Sequence, residues 1–108
     1  MIYPTVLYAG NVQLSAPEQG GRRRPVCSGY RCQFRLPQEV GGASDWDAMI
    51  ILWVASLAPG ANAPGLLLPP SGHLVWEHLV VPGELGMYEG SRRIGTFELK
   101  GRYLRGDG

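Results

Sequence analysis

Basic residues are missing from the whole middle of this chain. Between residues 36 and 91 there is no Lys or Arg, while that interval holds six acids. Lysine is scarcer still, since Lys100 alone represents it among ten basic side chains. A formal net charge of +1 excludes a protein that attracts nucleic acid through bulk positive charge. Only two cysteines, Cys27 and Cys32, occur, which excludes a disulfide-dense scaffold and suits a reducing compartment. No further cysteine accompanies them, so no metal site is expected and both read as small packing residues. The longest strongly apolar run, Ala48 to Ala58, falls well short of the roughly 20 residues a membrane-spanning helix needs. The opening MIYPTVLYAG lacks a basic region followed by an apolar core, so no secretory signal is expected. The cytoplasm is the expected location, with no membrane partner.

Glycine and proline, by contrast, are abundant. Sixteen Gly and nine Pro in 108 residues are about double ordinary usage. Both residues interrupt helices and mark turns, so a chain punctuated this often reads as one all-β domain, residues 1–108, built as a barrel or sandwich of short strands. Residues 5–14 alternate with Val6, Tyr8, Val12 and Leu14 on one face. In GYRCQFRL, Tyr30, Cys32, Phe34 and Leu36 alternate with Arg31, Gln33 and Arg35, which share one exposed strand face. Residues 43–58 admit two readings. Trp46, Met49, Ile50, Trp53, Val54 and Leu57 form a helical stripe behind a Ser44–Asp47 capping pattern, yet AMIILWV also fits a buried strand. The all-β context favours the strand, with a short helix as the alternative. APGANAPG reads as a loop before a short strand LLL, residues 73–81 as a strand, PGELG as a turn, and MYEG with RRIGTFELKGRYL as the closing strands. In the last of these, Ile94, Thr96 and Glu98 face one way and Gly95, Phe97 and Leu99 the other.

The basic residues fall into two segments. Arg22, Arg23, Arg24, Arg31 and Arg35 form the first, and Arg92, Arg93, Lys100, Arg102 and Arg105 the second. If the segments meet in space, the protein has a positive face and a negative one; otherwise they are separate solvated strand faces. The preference for arginine points toward planar, bidentate contact with phosphate or carboxylate. Trp46, Trp53 and Trp76 read as core, as do Tyr30 and Phe34. His73 and His78 lie on opposite faces of a regular strand, which defeats chelation. No Ser/His/Asp or paired-carboxylate arrangement is visible, so no catalysis is expected. The tripeptide Arg105-Gly106-Asp107 reads as a chance match in a terminal segment.

The stretch EQGGRRRPVCSGYRCQF resembles the start of the C-terminal β-barrel, the third domain, of elongation factor Tu. In that family a Gly-Gly-Arg loop precedes Gly-Tyr-Arg-Pro-Gln-Phe at the same spacing. Here Gly20, Gly21, Arg22, Pro25, Gly29, Tyr30, Arg31, Gln33 and Phe34 match, with Cys32 in place of the proline. A second match is YEGSRRIG, similar to the family's Arg-Glu-Gly-Gly-Arg-Thr-Val-Gly, with Glu89, Gly90, Arg92 and Gly95 in register. PPSGHLVWEHLVVP also resembles the family's Pro-Gly turn, long strand and closing proline. The similarity covers roughly residues 4–36 and 70–100, and two motifs in the correct order are more specific than either alone.

The resemblance implies a single six-stranded antiparallel barrel that holds both basic segments. It also implies contact with the T-stem of aminoacyl-tRNA through positions matching Gln33, Glu89 and Gly90. The loop Gly20, Gly21, Arg22 matches one that lies against the family's GTPase domain, and so is a candidate protein-docking loop. Departures are clear. No Gly-x-x-x-x-Gly-Lys-Ser/Thr phosphate loop exists, so neither GTP hydrolysis nor any cofactor is expected. PQEVGGASDWD replaces the family's Thr-Thr-Asp-Val-Thr-Gly, and residues 43–63 are enlarged and more apolar. The expected function is a non-catalytic, stand-alone module that binds structured, tRNA-like RNA. Arg22, Arg23, Arg24, Arg31, Arg35, Arg92 and Arg93 would meet phosphates, and Gln33, Glu89 and Gly90 the ribose edge. The alternative is a module that docks on a translation-related protein, as a regulator or toxin-neutralising protein would.

Overall fold

A computed structural model describes residues 6–35, 45–69, 76 and 79–104. Eight strands occur in it: β1 (Val6–Leu14), β2 (Val26–Cys27), β3 (Tyr30–Arg35), β4 (Asp45–Leu52), β5 (Ser56–Leu57), β6 (Asn62–Leu68), β7 (Gly83–Glu89) and β8 (Arg92–Leu104). Six of them close into a barrel in the order β1-β6-β4-β3-β7-β8, and β2 pairs with β5 as a separate two-stranded sheet. Every barrel pairing is antiparallel. The expected six-stranded antiparallel barrel is therefore present, and closure leaves no barrel strand with an open edge.

Period-2 patterning accounts for most of the interior. Val6, Tyr8, Val12 and Leu14 of β1, Cys32 and Phe34 of β3, and Leu85 and Met87 of β7 all point inward. The helical alternative for residues 43–58 is overturned. Ala48, Ile50 and Leu52 are buried at every second position, and β4 is hydrogen-bonded on both sides, to β3 and β6. A helix there would leave both of those ladders unpaired. Two members of the helical stripe, Trp53 and Val54, are exposed, so Trp53 does not join the core. Trp46 packs partly buried against it, and Trp76 is fully buried.

Several expected turns are strand. Asn62–Gly65 extends β6 despite Pro64, because the Pro64 carbonyl faces Trp53, just past the last β4–β6 pair at Leu52–Gly65. Its missing N–H thus points where the β4 ladder has already ended. Gly83–Gly86 likewise belongs to β7, paired with Thr96–Leu99. The expected strand at 73–81 is not found in its described residues: Trp76 sits in a 3-10 turn, and Leu79 and Val80 are irregular. The other residues of that segment, with His73, His78, Leu36, Ser44 and the Arg105–Asp107 tripeptide, lie outside the described residues. In β8 the expected faces also change. The register with β7 shifts at Met87/Tyr88, and the extra residue on β8, Ile94, turns inward with Phe97 and Leu99.

Strand directions sort the connections between the two barrel ends. The β1–β2 loop, the β2–β5 sheet and the β7–β8 hairpin all fall at one end, closed by Val26 and Leu57, which pair across β2 and β5 and are buried. At the other end, Trp76 meets Phe34 edge-on at 6.2 Å, and its carbonyl accepts a hydrogen bond from the buried Tyr8 hydroxyl. Leu79 is buried beside them, its carbonyl held by Arg102 at 3.1 Å. No described helix is long and apolar enough to cross a membrane.

Candidate functional site

The two glycines of GGRRR are required by backbone geometry. A 3-10 turn, Pro17–Gln19, ends at Gly20, whose φ of +88° is a left-handed value that side-chain-bearing residues avoid. Gly21 then presses against β1's exit: a Cβ there would stand 2.3 Å from the Ser15 carbonyl oxygen. These constraints aim the following arginines over the barrel end, toward the Glu89-Gly90-Ser91-Arg92 hairpin.

Arg22 is the anchor of that loop. Its Nη1 donates to Glu89 Oε2, and the Tyr30 hydroxyl donates to the same oxygen. The guanidinium also lies 5.0 Å from the Tyr30 ring centroid, and its Nε donates to the Arg24 carbonyl at 3.2 Å. Three segments that are remote in sequence meet here: the β1–β2 loop, the start of β3 and the end of β7. Burial alone would raise the Glu89 carboxyl, but hydrogen bonds from Tyr30 and Arg22 outweigh it and hold the pKa below the usual carboxylate range. Burial and the bond to Glu89 together push the Tyr30 hydroxyl above its ordinary value. Burial would lower Arg22, but its bond to Glu89 raises it overall.

Beside this network lies an open cleft of about 750 Å³ lined by Pro17, Gly20, Gly21, Arg22, Arg23, Arg24, Glu89 and Arg92. Arg23, Arg24 and Arg92 are exposed, and none of their guanidinium groups makes a hydrogen bond or ion pair with a described residue. The first basic segment and part of the second therefore do meet. Lys100 and Arg102 do not join them, being occupied by Glu98 at 3.4 Å and by the Leu79 carbonyl.

The remaining predicted residues lie on the barrel wall. Arg31, Gln33 and Arg35 alternate outward along β3, with Gln33 opposite Tyr88 of β7 and Tyr88 opposite Arg93 of β8. Arg35 stacks on the Tyr88 ring at 4.0 Å. Gly86 leaves space over which the Tyr88 ring and the Arg93 guanidinium lie, and Arg93 donates to the Thr96 hydroxyl at 2.9 Å. Asp47, opposite Gln33, bounds this strip on the β4 side, and exposed Glu84 and Glu98 face each other farther down β7 and β8.

Sequence patterning missed Tyr30 and Tyr88 as site residues. Tyr30 sits on the apolar face, but as the first residue of β3 it delivers its hydroxyl to the barrel end. Tyr88 had one usable signal, the Gly86-x-Tyr88 spacing that puts a ring and an empty position on one strand face. Gly90 occupies the exposed turn of the β7–β8 hairpin, and Glu89 is committed to Arg22 and Tyr30 instead of facing solvent unpartnered. Cys27 is exposed and Cys32 buried, so only the second is a packing thiol. Among the described residues no three His, Cys, Asp or Glu side chains gather as a metal site. Compared with protein-family models and with curated proteins, the chain finds no match.

Proposed function

We propose that this barrel is a non-catalytic, cytoplasmic module that binds structured RNA, as its resemblance to the third domain of elongation factor Tu implies. One observation carries the reading. Arginines from the two ends of the sequence collect on adjoining surfaces, with Arg23, Arg24 and Arg92 at the barrel end and Arg31, Arg35 and Arg93 on the wall. Acids border the wall, so the positive charge forms a strip instead of a uniform coat. An A-form duplex offers a broad, shape-defined surface of phosphates and ribose hydroxyls, which suits a strip of guanidiniums with Gln33 among them. Stacking of Arg35 on Tyr88 holds one guanidinium plane ready and lowers the ordering cost of contact.

A second reading rests on Trp53, whose 64% exposure at the end of β4 suits an apolar protein contact. Trp46, Ala48, Ile50, Leu52 and Leu57 of the apolar stretch Trp46–Leu57 go to the core, so the surface left to this reading is chiefly Trp53 and Val54. The test is binding of bulk aminoacylated tRNA across a salt series, with R31S/R35S/R93S as the comparison. Wild-type affinity should fall steeply with salt, and the variant's slope should flatten by about 0.9 for each phosphate it no longer neutralises. No binding at low salt overturns the RNA reading. Loss of a captured protein partner in W53A, at an affinity insensitive to salt, would establish the second.

A further inference from the structure

The barrel-end cleft differs from the wall in shape and charge, and we propose that it is a separate site for a phosphate monoester or diphosphate group. It deepens the RNA reading, and rests on it only for the claim that RNA carries the group. Four guanidiniums against one carboxylate leave the cleft with a formal excess of three positive charges. The carboxylate is already engaged by Arg22 and Tyr30, so it does not confront an entering anion unpaired. The guanidinium groups of Arg23, Arg24 and Arg92 make no hydrogen bond or ion pair with a described residue, although the Arg92 charge also helps to stabilise the Glu89 carboxylate.

Charge matching selects the ligand. A phosphodiester brings one negative charge, which would leave most of this excess uncompensated. A monoester carries about 1.5 to 2 negative charges near neutral pH and three strong acceptor oxygens, and a diphosphate carries more. Arginine forks pair with those oxygens bidentately. The cleft, about 750 Å³ and open to solvent, gives a small anion room between the arginine loop and the Glu89–Arg92 hairpin. The site is also built in advance. Gly20 and Gly21 fix the loop's direction, and the Arg22–Glu89–Tyr30 network ties it to β3 and β7, so little ordering remains to be done on binding.

Pyrophosphate, AMP and a short single-stranded oligonucleotide, with and without a 5′-phosphate, are titrated into the protein at low salt. The same series is run with R23S/R24S/R92S, whose substituted positions are exposed and leave the Arg22 anchor intact. Saturable pyrophosphate and AMP binding is expected, weakened by on the order of tenfold for each arginine that contacts the group. A 5′-phosphorylated oligonucleotide that binds more tightly than both AMP and its 5′-hydroxyl form identifies a nucleic-acid end as the source. Equal affinity for AMP and the phosphorylated oligonucleotide identifies a free phosphorylated metabolite. Absence of pyrophosphate and AMP binding, or binding that R23S/R24S/R92S leaves unchanged, overturns the site. Failure of wild-type protein to bind tRNA with pyrophosphate binding retained would overturn the RNA reading alone, and R31S/R35S/R93S, which spares the cleft, should keep its pyrophosphate binding while losing tRNA.

Discussion

Glu89 is the residue on which the site's order depends. Glu89→Gln keeps the shape but replaces the carboxylate that two donors share, and should cost about 1 kcal/mol, a charged hydrogen bond discounted for partial exposure. The pH dependence has a defined sign. Because folding lowers the Glu89 pKa, its contribution is present above the unfolded value and lost as pH falls through the folded one. Wild type and E89Q should therefore converge in stability on acidification below about pH 4 in urea melts. For Tyr30 the folded pKa is raised, so its contribution is present below about pH 10 and fades above it. Tyr30→Phe should abolish that alkaline limb. The two thiols separate just as sharply. Burial, reinforced by the Glu89 charge, pushes Cys32 up to about 12, whereas Cys27 is exposed. Mass spectrometry after brief iodoacetamide treatment of folded protein should find Cys27 alkylated and Cys32 intact. Labelling of Cys32 at a similar rate would show that β3 opens locally.

Among the elements, the β1–β2 loop is the one whose conformation the site cannot do without. Gly21→Ala forces a methyl group onto the Ser15 carbonyl, and the neighbour is backbone that β1 holds in place. A loss of about 1–3 kcal/mol is expected, visible as a thermal midpoint several degrees lower, together with weaker pyrophosphate binding. Unchanged stability would mean that the loop can shift without penalty. This loop and β3 were legible in the sequence because glycine spacing and strict alternation are local signals. Legibility failed wherever a distant neighbour decided the outcome. Pro64 reads as a loop residue until the end of the β4 ladder is known, and Trp53 reads as core until β4 stops at Leu52. Ile94 reads as belonging with Thr96 and Glu98, and only the bulge against β7 turns it inward. Trp76 belongs to the core, as its sequence suggests, but it sits in a 3-10 turn and not in the strand that the alternation around it implies.

At the scale of the whole molecule, the charge pattern was legible but its convergence was not. Two basic segments separated by residues 36 to 91 could have occupied opposite sides of a barrel, and the strand order decides otherwise by placing β3, β7 and β8 side by side. Convergence carries an energetic consequence that needs no ligand to observe. Like charges gathered around one cleft repel, so a face kept for an anion is less stable than a neutral one. Arg23 and Arg24 hold no described partner, and the bond from Arg22 Nε goes to the Arg24 backbone carbonyl, which a side-chain change preserves. R23S/R24S should therefore raise stability at low ionic strength, by up to about 1 kcal/mol, the scale of surface charge interactions. The gain should disappear near 1 M salt, where screening acts within about 3 Å. Pyrophosphate should produce the same stabilisation in wild type by filling the cleft, and little in the variant. A variant that is less stable than wild type at low salt would mean that these arginines are held by favourable contacts, and the repulsive cluster at the barrel end would have to be abandoned.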